Sequence, residues 1–294
     1  MKTIRAFSML AVGLLLGATA ATAQNIVVGG KAFTEQQIMA AMTAQLLKAK
    51  GYTVDVKAGM GSAVLRQAQE SGQIDVYWEY TGTSLITYNK FTEKLSPADN
   101  YKKVKELDAA KGLVWLNPSK ANNTYSLAMN ADDAKKQGIV TISDLAKKVN
   151  DGGKLTFASN AEFYARPDGF KPLEQMYGFE FARDNVKRMD TGLVYQALKE
   201  KQVDVGLVFA TDGRIPAFNF VVLRDDKGYF PAYAMTPVIT KKALDANPKL
   251  AEILNGLSAK LDDATMARLN ASVDVDKKTV EDVAQTFLKQ QGLI

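Results

Sequence analysis

Gln73-Ile74-Asp75-Val76-Tyr77-Trp78-Glu79-Tyr80-Thr81-Gly82-Thr83 reads as a strand that runs out into aromatic and hydroxyl side chains. A stretch of the same shape follows 129 residues later, Gln202-Val203-Asp204-Val205-Gly206-Leu207-Val208-Phe209-Ala210-Thr211-Asp212. The lead-ins match as well: Met60 stands 15 residues before Asp75, and Met189 stands 15 residues before Asp204. Each lead-in carries a helix-like run, Val64–Ala68 in one and Val194–Leu198 in the other. At this offset Phe209 falls on Tyr80. One helix–strand–aromatic unit therefore occurs twice, which predicts two lobes, each ending a strand in an aromatic side chain. The C-terminal ends of strands are where open α/β sheets receive ligands.

Composition narrows the chemistry. The 294 residues are 47% hydrophobic and 23% charged, enough for two compact α/β units. There is no cysteine and no histidine. Thiol nucleophiles, disulfides, thiolate metal sites and imidazole acid–base catalysis are excluded. No metal site, cofactor or catalytic set is expected, and an enzyme is not expected. Lys2 and Arg5 precede a mostly apolar, small-residue run to Ala20, and Ala21-Thr22-Ala23 ends in an A-x-A site. Residues 1–23 therefore read as a cleavable signal peptide, too short for a membrane span, and the mature chain is expected in a periplasm. Without that segment 35 basic side chains face 32 acidic ones. The lysines are scattered, so no nucleic-acid partner is expected.

Along the mature chain, Asn25–Gly30 reads as a strand. Thr34 reads as the N-cap of a helix closing on Gly51, with Gln37 as its capping-box partner. A strand, a second helix and the Gln73 stretch follow, giving a β–α–β–α–β order with helices on the faces of a sheet. Ser143 is read as the cap of a helix from Asp144. A crossing into a second lobe is placed near Met129, and Pro237–Thr240 reads as a strand returning to the first. The expected architecture is an α/β, two-lobed, type II-like binding fold with two crossings and a ligand in the cleft between lobes. Residues 24–128 with 235–294 form lobe I, and residues 129–234 form lobe II. A doubly hinged cleft can close on a ligand.

Six pieces in order carry a resemblance: Gly30–Gln36, Trp78–Thr83, Asn123–Tyr125, Phe163–Gly169, Ala210–Gly213 and Phe230–Tyr233. With them the chain resembles the periplasmic binding proteins of ABC importers for quaternary-ammonium osmoprotectants such as glycine betaine, choline, carnitine and proline betaine. A trimethylammonium group has no N–H, so aromatic faces must recognise its charge, each at roughly 0.5–2 kcal/mol when desolvated. The resemblance places such a cage on Tyr80, Tyr125, Phe209 and Tyr233. The family's fourth tyrosine is a phenylalanine here, which keeps a π face and loses a hydroxyl. It places donors to a ligand carboxylate at Lys31, Thr83 and Arg166, with Gln36 as a further candidate. Two unpaired cations in a closed site are costly, which favours a carboxylate-bearing ligand. The resemblance also implies an ABC permease as partner, and a monomer is expected. The alternative is a binder of the same fold for choline or another small cationic or zwitterionic solute, such as an amino acid.

Overall fold

The computed structural model describes residues 25–294; the signal-peptide reading of residues 1–23 lies outside them. Among these residues ten strands form two five-stranded sheets. They are β1 (Asn25–Lys31), β2 (Thr53–Met60), β3 (Val76–Tyr80), β4 (Leu113–Trp115), β5 (Tyr125–Asn130), β6 (Phe157–Ser159), β7 (Val186–Arg188), β8 (Val205–Phe209), β9 (Phe220–Val222) and β10 (Met235–Thr240). The first sheet has the order β2-β1-β3-β10-β4 and the second β7-β6-β8-β5-β9. Position by position the two are alike. The first three strands of each are mutually parallel, and the fourth and fifth join by antiparallel pairings. The two-lobed α/β architecture expected from the sequence is the one observed.

The duplicated stretch lies at the centre of this likeness. β3 and β8 are the middle strands of their sheets, and helices Ser62–Glu70 and Thr191–Lys199 precede them. Asp75 accepts the backbone N–H of Val27 at 2.8 Å and donates its own N–H to the Val27 carbonyl. Asp204 makes the same pair of bonds with Thr156, accepting its N–H at 2.7 Å. In both cases the partner lies 48 residues upstream. An extended residue at a strand entrance has an N–H that the ladder leaves unpaired, and a carboxylate one strand over satisfies it.

The crossings follow from the strand orders. The chain leaves the first sheet at its edge strand β4 and enters the second as β5. It leaves the second at its edge strand β9 and re-enters the first as β10. All of β5 belongs to the second sheet, so a lobe boundary at 128/129 would cut through it. Tyr125 to Ala128 pair with β8, and that pairing moves the crossing upstream to the segment between Trp115 and Tyr125. The two crossings bond to each other: Asn123 N–H donates to the Tyr233 carbonyl, and Tyr233 N–H donates to Asn122 Oδ1 at 2.7 Å.

Two helix starts differ from expectation. Phe33, in extended conformation, holds the N-cap position of helix Thr34–Ala49 and makes no side-chain cap bond. Thr34 Oγ1 instead donates to Asp274 Oδ1 at 2.8 Å, a tertiary bond that outcompetes the local one. Helix Ile142–Asn150 is capped by Thr141 rather than Ser143, with Asp144 completing a capping box. The buried face of Thr34–Ala49 (Ile38, Met39, Met42, Leu46) packs with Val283, Ala284, Phe287 and Leu288 of the last helix, Val280–Gln290. The C-terminal helices thus brace the floor of the cleft. Among the described residues no helix is long and apolar enough to cross a membrane, and no cluster of acidic side chains is arranged to hold a metal ion.

Candidate functional site

A cavity of about 520 Å³ lies between the sheets, where the C-terminal ends of β1, β3 and β8 meet the two crossings. Tyr80, Tyr125, Phe209 and Tyr233 all line it. β3 and β8 deliver Tyr80 and Phe209 at their last residues. Tyr125 opens β5, and Tyr233 lies just before β10. The Tyr125 and Phe209 rings are 5.2 Å apart, and Tyr125 meets Tyr233 edge-on at 5.4 Å. Gly82 makes room for this cluster, since a Cβ there would stand 2.8 Å from the Tyr233 ring and from the Ala232 carbonyl.

A fifth ring, Phe33, completes the row. It stacks on Phe209 at 5.5 Å and faces Tyr80 at 6.3 Å, filling the space between the aromatic termini of the two duplicated strands. Tyr80, Phe33, Phe209, Tyr125 and Tyr233 so form a continuous aromatic wall drawn from both lobes. Two hydroxyls on it are fixed by carboxylates: Tyr80 Oη donates to Glu35 Oε1 at 2.7 Å, and Tyr233 Oη donates to Asp168. Burial, then the neighbouring carboxylate, pushes both phenols well above their ordinary range, so both keep the proton they donate.

The polar residues expected from the sequence separate into two layers. Lys31 and Thr83 line the cavity; Gln36 and Arg166 stand behind its walls. Lys31 Nζ is held 2.6 Å from Glu79 Oε1 and 5.0 Å from the centre of the Tyr80 ring. Arg166 forks onto Asp168 at 2.7 and 2.6 Å, reaches Glu162 at 3.2 Å and Thr83 Oγ1 at 3.4 Å, and lies 5.3 Å from the Tyr125 ring centre. Gln36 Nε2 donates to the Trp78 carbonyl at 2.8 Å and to Tyr80 Oη at 3.0 Å. Both cations are therefore paired within the protein, which removes the electrostatic argument that they require a ligand carboxylate. Asp212 pairs with Arg214 rather than with Lys31 or Arg166, and Trp78 is core, its indole N–H donating to Thr43.

Sequence reasoning passed over Phe33, Glu35, Asn123, Thr211 and Asn270. Glu35 is fully buried among donors: Tyr80 Oη and Asn123 Nδ2 (2.8 Å) on one oxygen, Thr211 Oγ1 and Asn270 Nδ2 (3.2 Å) on the other. One signal for it was available. Glu35 precedes Ile38 and Met39 by three and four positions, which puts a carboxylate on the apolar face of the helix.

Residues 24–290 match the family described as the substrate-binding domain of ABC-type glycine betaine transport systems, and the chain belongs to that family, one of transport proteins rather than of enzymes. It is 46% identical to the glycine-betaine-binding protein of Pseudomonas aeruginosa strain PAO1, over 100% of this chain and 96% of that one. The glycine betaine-binding protein YehZ of Escherichia coli K12 is 32% identical over 92% of each chain. The solved structure of a glycine betaine/carnitine/choline ABC transporter superposes with a TM-score of 0.74 at 29% identity, over 91% of this chain and 99% of that one.

Proposed function

We propose that this chain is a solute-binding protein that captures a quaternary-ammonium osmolyte of the glycine betaine type and hands it to an ABC permease. The carrying observation is that Tyr80, Tyr125, Phe209 and Tyr233, delivered by both lobes and the second crossing, meet in one cavity. Their π faces supply what a trimethylammonium group requires and hydrogen-bond donors do not. Family membership and the glycine betaine binding of the relatives support the reading. Thr83 and Lys31, with Arg166 and Gln36 behind them, then meet the polar end of the ligand. We place the mature protein in the periplasm after loss of residues 1–23, as a monomer whose lobes close over the ligand.

Because Lys31 and Arg166 are already paired, choline remains the second reading. It carries the same cation and needs no cationic partner at its hydroxyl. Isothermal titration calorimetry of the mature chain against glycine betaine, choline, carnitine and proline betaine tests both. Saturable binding of glycine betaine ahead of choline supports the first reading, and the reverse order supports the second. Absence of heat with all four ligands sinks both.

A further inference from the structure

The best-connected side chain of the cavity is one the aromatic-cage reading does not use. Glu35 is a carboxylate buried at the first turn of helix Thr34–Ala49, within the cavity lining. Its donors come from four separate parts of the fold. Tyr80 belongs to β3, Asn123 to the first crossing, Thr211 to the turn after β8, and Asn270 to helix Asp263–Asp274. Two of these contacts bear on cage rings. Tyr80 is itself a ring, and Thr211 lies two residues past Phe209. Asn270 reinforces the second by donating to the Thr211 carbonyl at 2.9 Å. Phe33, two residues before Glu35, fills the gap between the same two rings.

A carboxylate is not needed for packing alone. Burial penalises its charge and raises its pKa; a neutral amide would avoid that penalty but would turn an N–H group on the two donors of one oxygen, Thr211 and Asn270. What an amide does not supply is negative potential. A phenol that donates to a carboxylate becomes richer in electrons at its ring, and the ring's negative face is what holds a cation. The charge itself acts through a water-poor wall, where it is weakly screened.

We propose that Glu35 is the positioning and charge-setting residue of the cation site. It holds Tyr80 and the Phe209 segment in register across the two lobes and makes the site select a permanent cation over a neutral group of the same shape. This rests on the reading of the cavity as a quaternary-ammonium site. The helix start assists, since its unpaired N–H groups favour an acidic side chain in the first turn and so lessen the cost of holding the charge there.

The test uses a ligand pair that differs in charge alone: glycine betaine, and 3,3-dimethylbutanoate, in which carbon replaces the ammonium nitrogen. Calorimetry gives the affinity of the first, and displacement of bound glycine betaine gives that of the second. Glu35→Gln should weaken glycine betaine about five- to thirtyfold, the range of a desolvated cation–π contact, and change the carbon analogue less than about twofold. The preference for the cation then collapses. Glu35→Asp, which keeps the charge on a shorter stem, should weaken both ligands yet retain the preference. Tyr80→Phe should cost less in the Glu35→Gln background than alone, because the phenol acts through the carboxylate. Equal weakening of both ligands by Glu35→Gln, or additive losses in the double variant, would show a merely structural role. If Glu35→Gln does not fold, Glu35→Asp and Tyr80→Phe decide by the same ratio. A wild-type chain that binds no quaternary ammonium overturns the cavity reading itself, a result distinct from wild-type binding with an unchanged ratio in the variants.

Discussion

The guanidinium of Arg166 lies in a two-point fork on the carboxylate of Asp168, a residue that also receives the Tyr233 hydroxyl. Through this one carboxylate a cation from the second lobe is tied to a cage ring of the second crossing. Removing Arg166 alone leaves Asp168 buried and uncompensated, which typically costs about 3–5 kcal/mol. Arg166→Ala should therefore lose stability as well as affinity, and urea melts will show the loss. The double variant Arg166→Ala/Asp168→Ala should recover most of that stability. If Arg166 also meets a ligand carboxylate, glycine betaine affinity should stay about ten- to a hundredfold down in the double variant, with choline changed much less. Equal losses for the two ligands would limit Arg166 to its role behind the rings.

Phe33 and Phe209 stack on each other, and both are half-buried. Truncation should therefore harm binding more than folding. Phe209→Ala is expected to weaken glycine betaine by about two- to thirtyfold, with Phe33→Ala in the same range because Phe33 spans Tyr80 and Phe209. Phe209→Tyr should retain binding. A melting temperature that drops sharply in either alanine variant, with affinity intact in the folded fraction, would assign that ring to the core.

The matched backbone bonds of Asp75 to Val27 and of Asp204 to Thr156 predict penalties of the same order, the larger at Asp204, which also accepts the Thr156 hydroxyl at 2.7 Å. Each carboxylate satisfies a strand N–H, a charge-assisted bond worth about 1.5–3 kcal/mol. Asp75→Ala and Asp204→Ala should each lower stability by that order. A penalty confined to one lobe would show that the two units, alike in geometry, are not alike in energy. Chemical denaturation of the ligand-free chain measures it.

Asp108 gives the pH dependence a sign. Burial alone would raise its carboxyl. The Arg66 fork at 2.6 and 2.9 Å outweighs that, with help from Asn89 and Trp115, and the net position is below the usual carboxylate range. A folded-state value below the unfolded one adds stability above about pH 4, and that stability is lost as pH falls through the folded value. Asp108→Asn should be less stable than the wild type at pH 7, and the gap should narrow below about pH 4. A gap that is constant with pH would mean that the charge of Asp108 contributes nothing to folding.

The sequence by itself determined the duplication, the α/β class and the rings. Repetition of Asp75 to Tyr80 as Asp204 to Phe209 is a local pattern, and a strand buried on both faces reads as a short, mostly apolar run, here ending in an aromatic. The absence of cysteine and histidine excluded whole chemistries before any fold was considered. Only the tertiary structure decided where the chain changes sheets, because Tyr125–Asn130 reads as a strand equally well in either sheet until its partner β8 is known. It alone showed Lys31 and Arg166 to be neutralised by Glu79 and Asp168, since an ion pair depends on which side chains the fold brings within a few ångströms. Thr34 and Ser143 carried good local capping signals, and Thr34 was overruled by the distant Asp274. Glu35 shows the same limit from the other side. Its position on an apolar helix face was visible, but its donors, Tyr80, Asn123, Thr211 and Asn270, lie 45 to 235 residues away along the chain. Local pattern names the elements; the meeting of distant polar groups in a space that excludes water makes them a site.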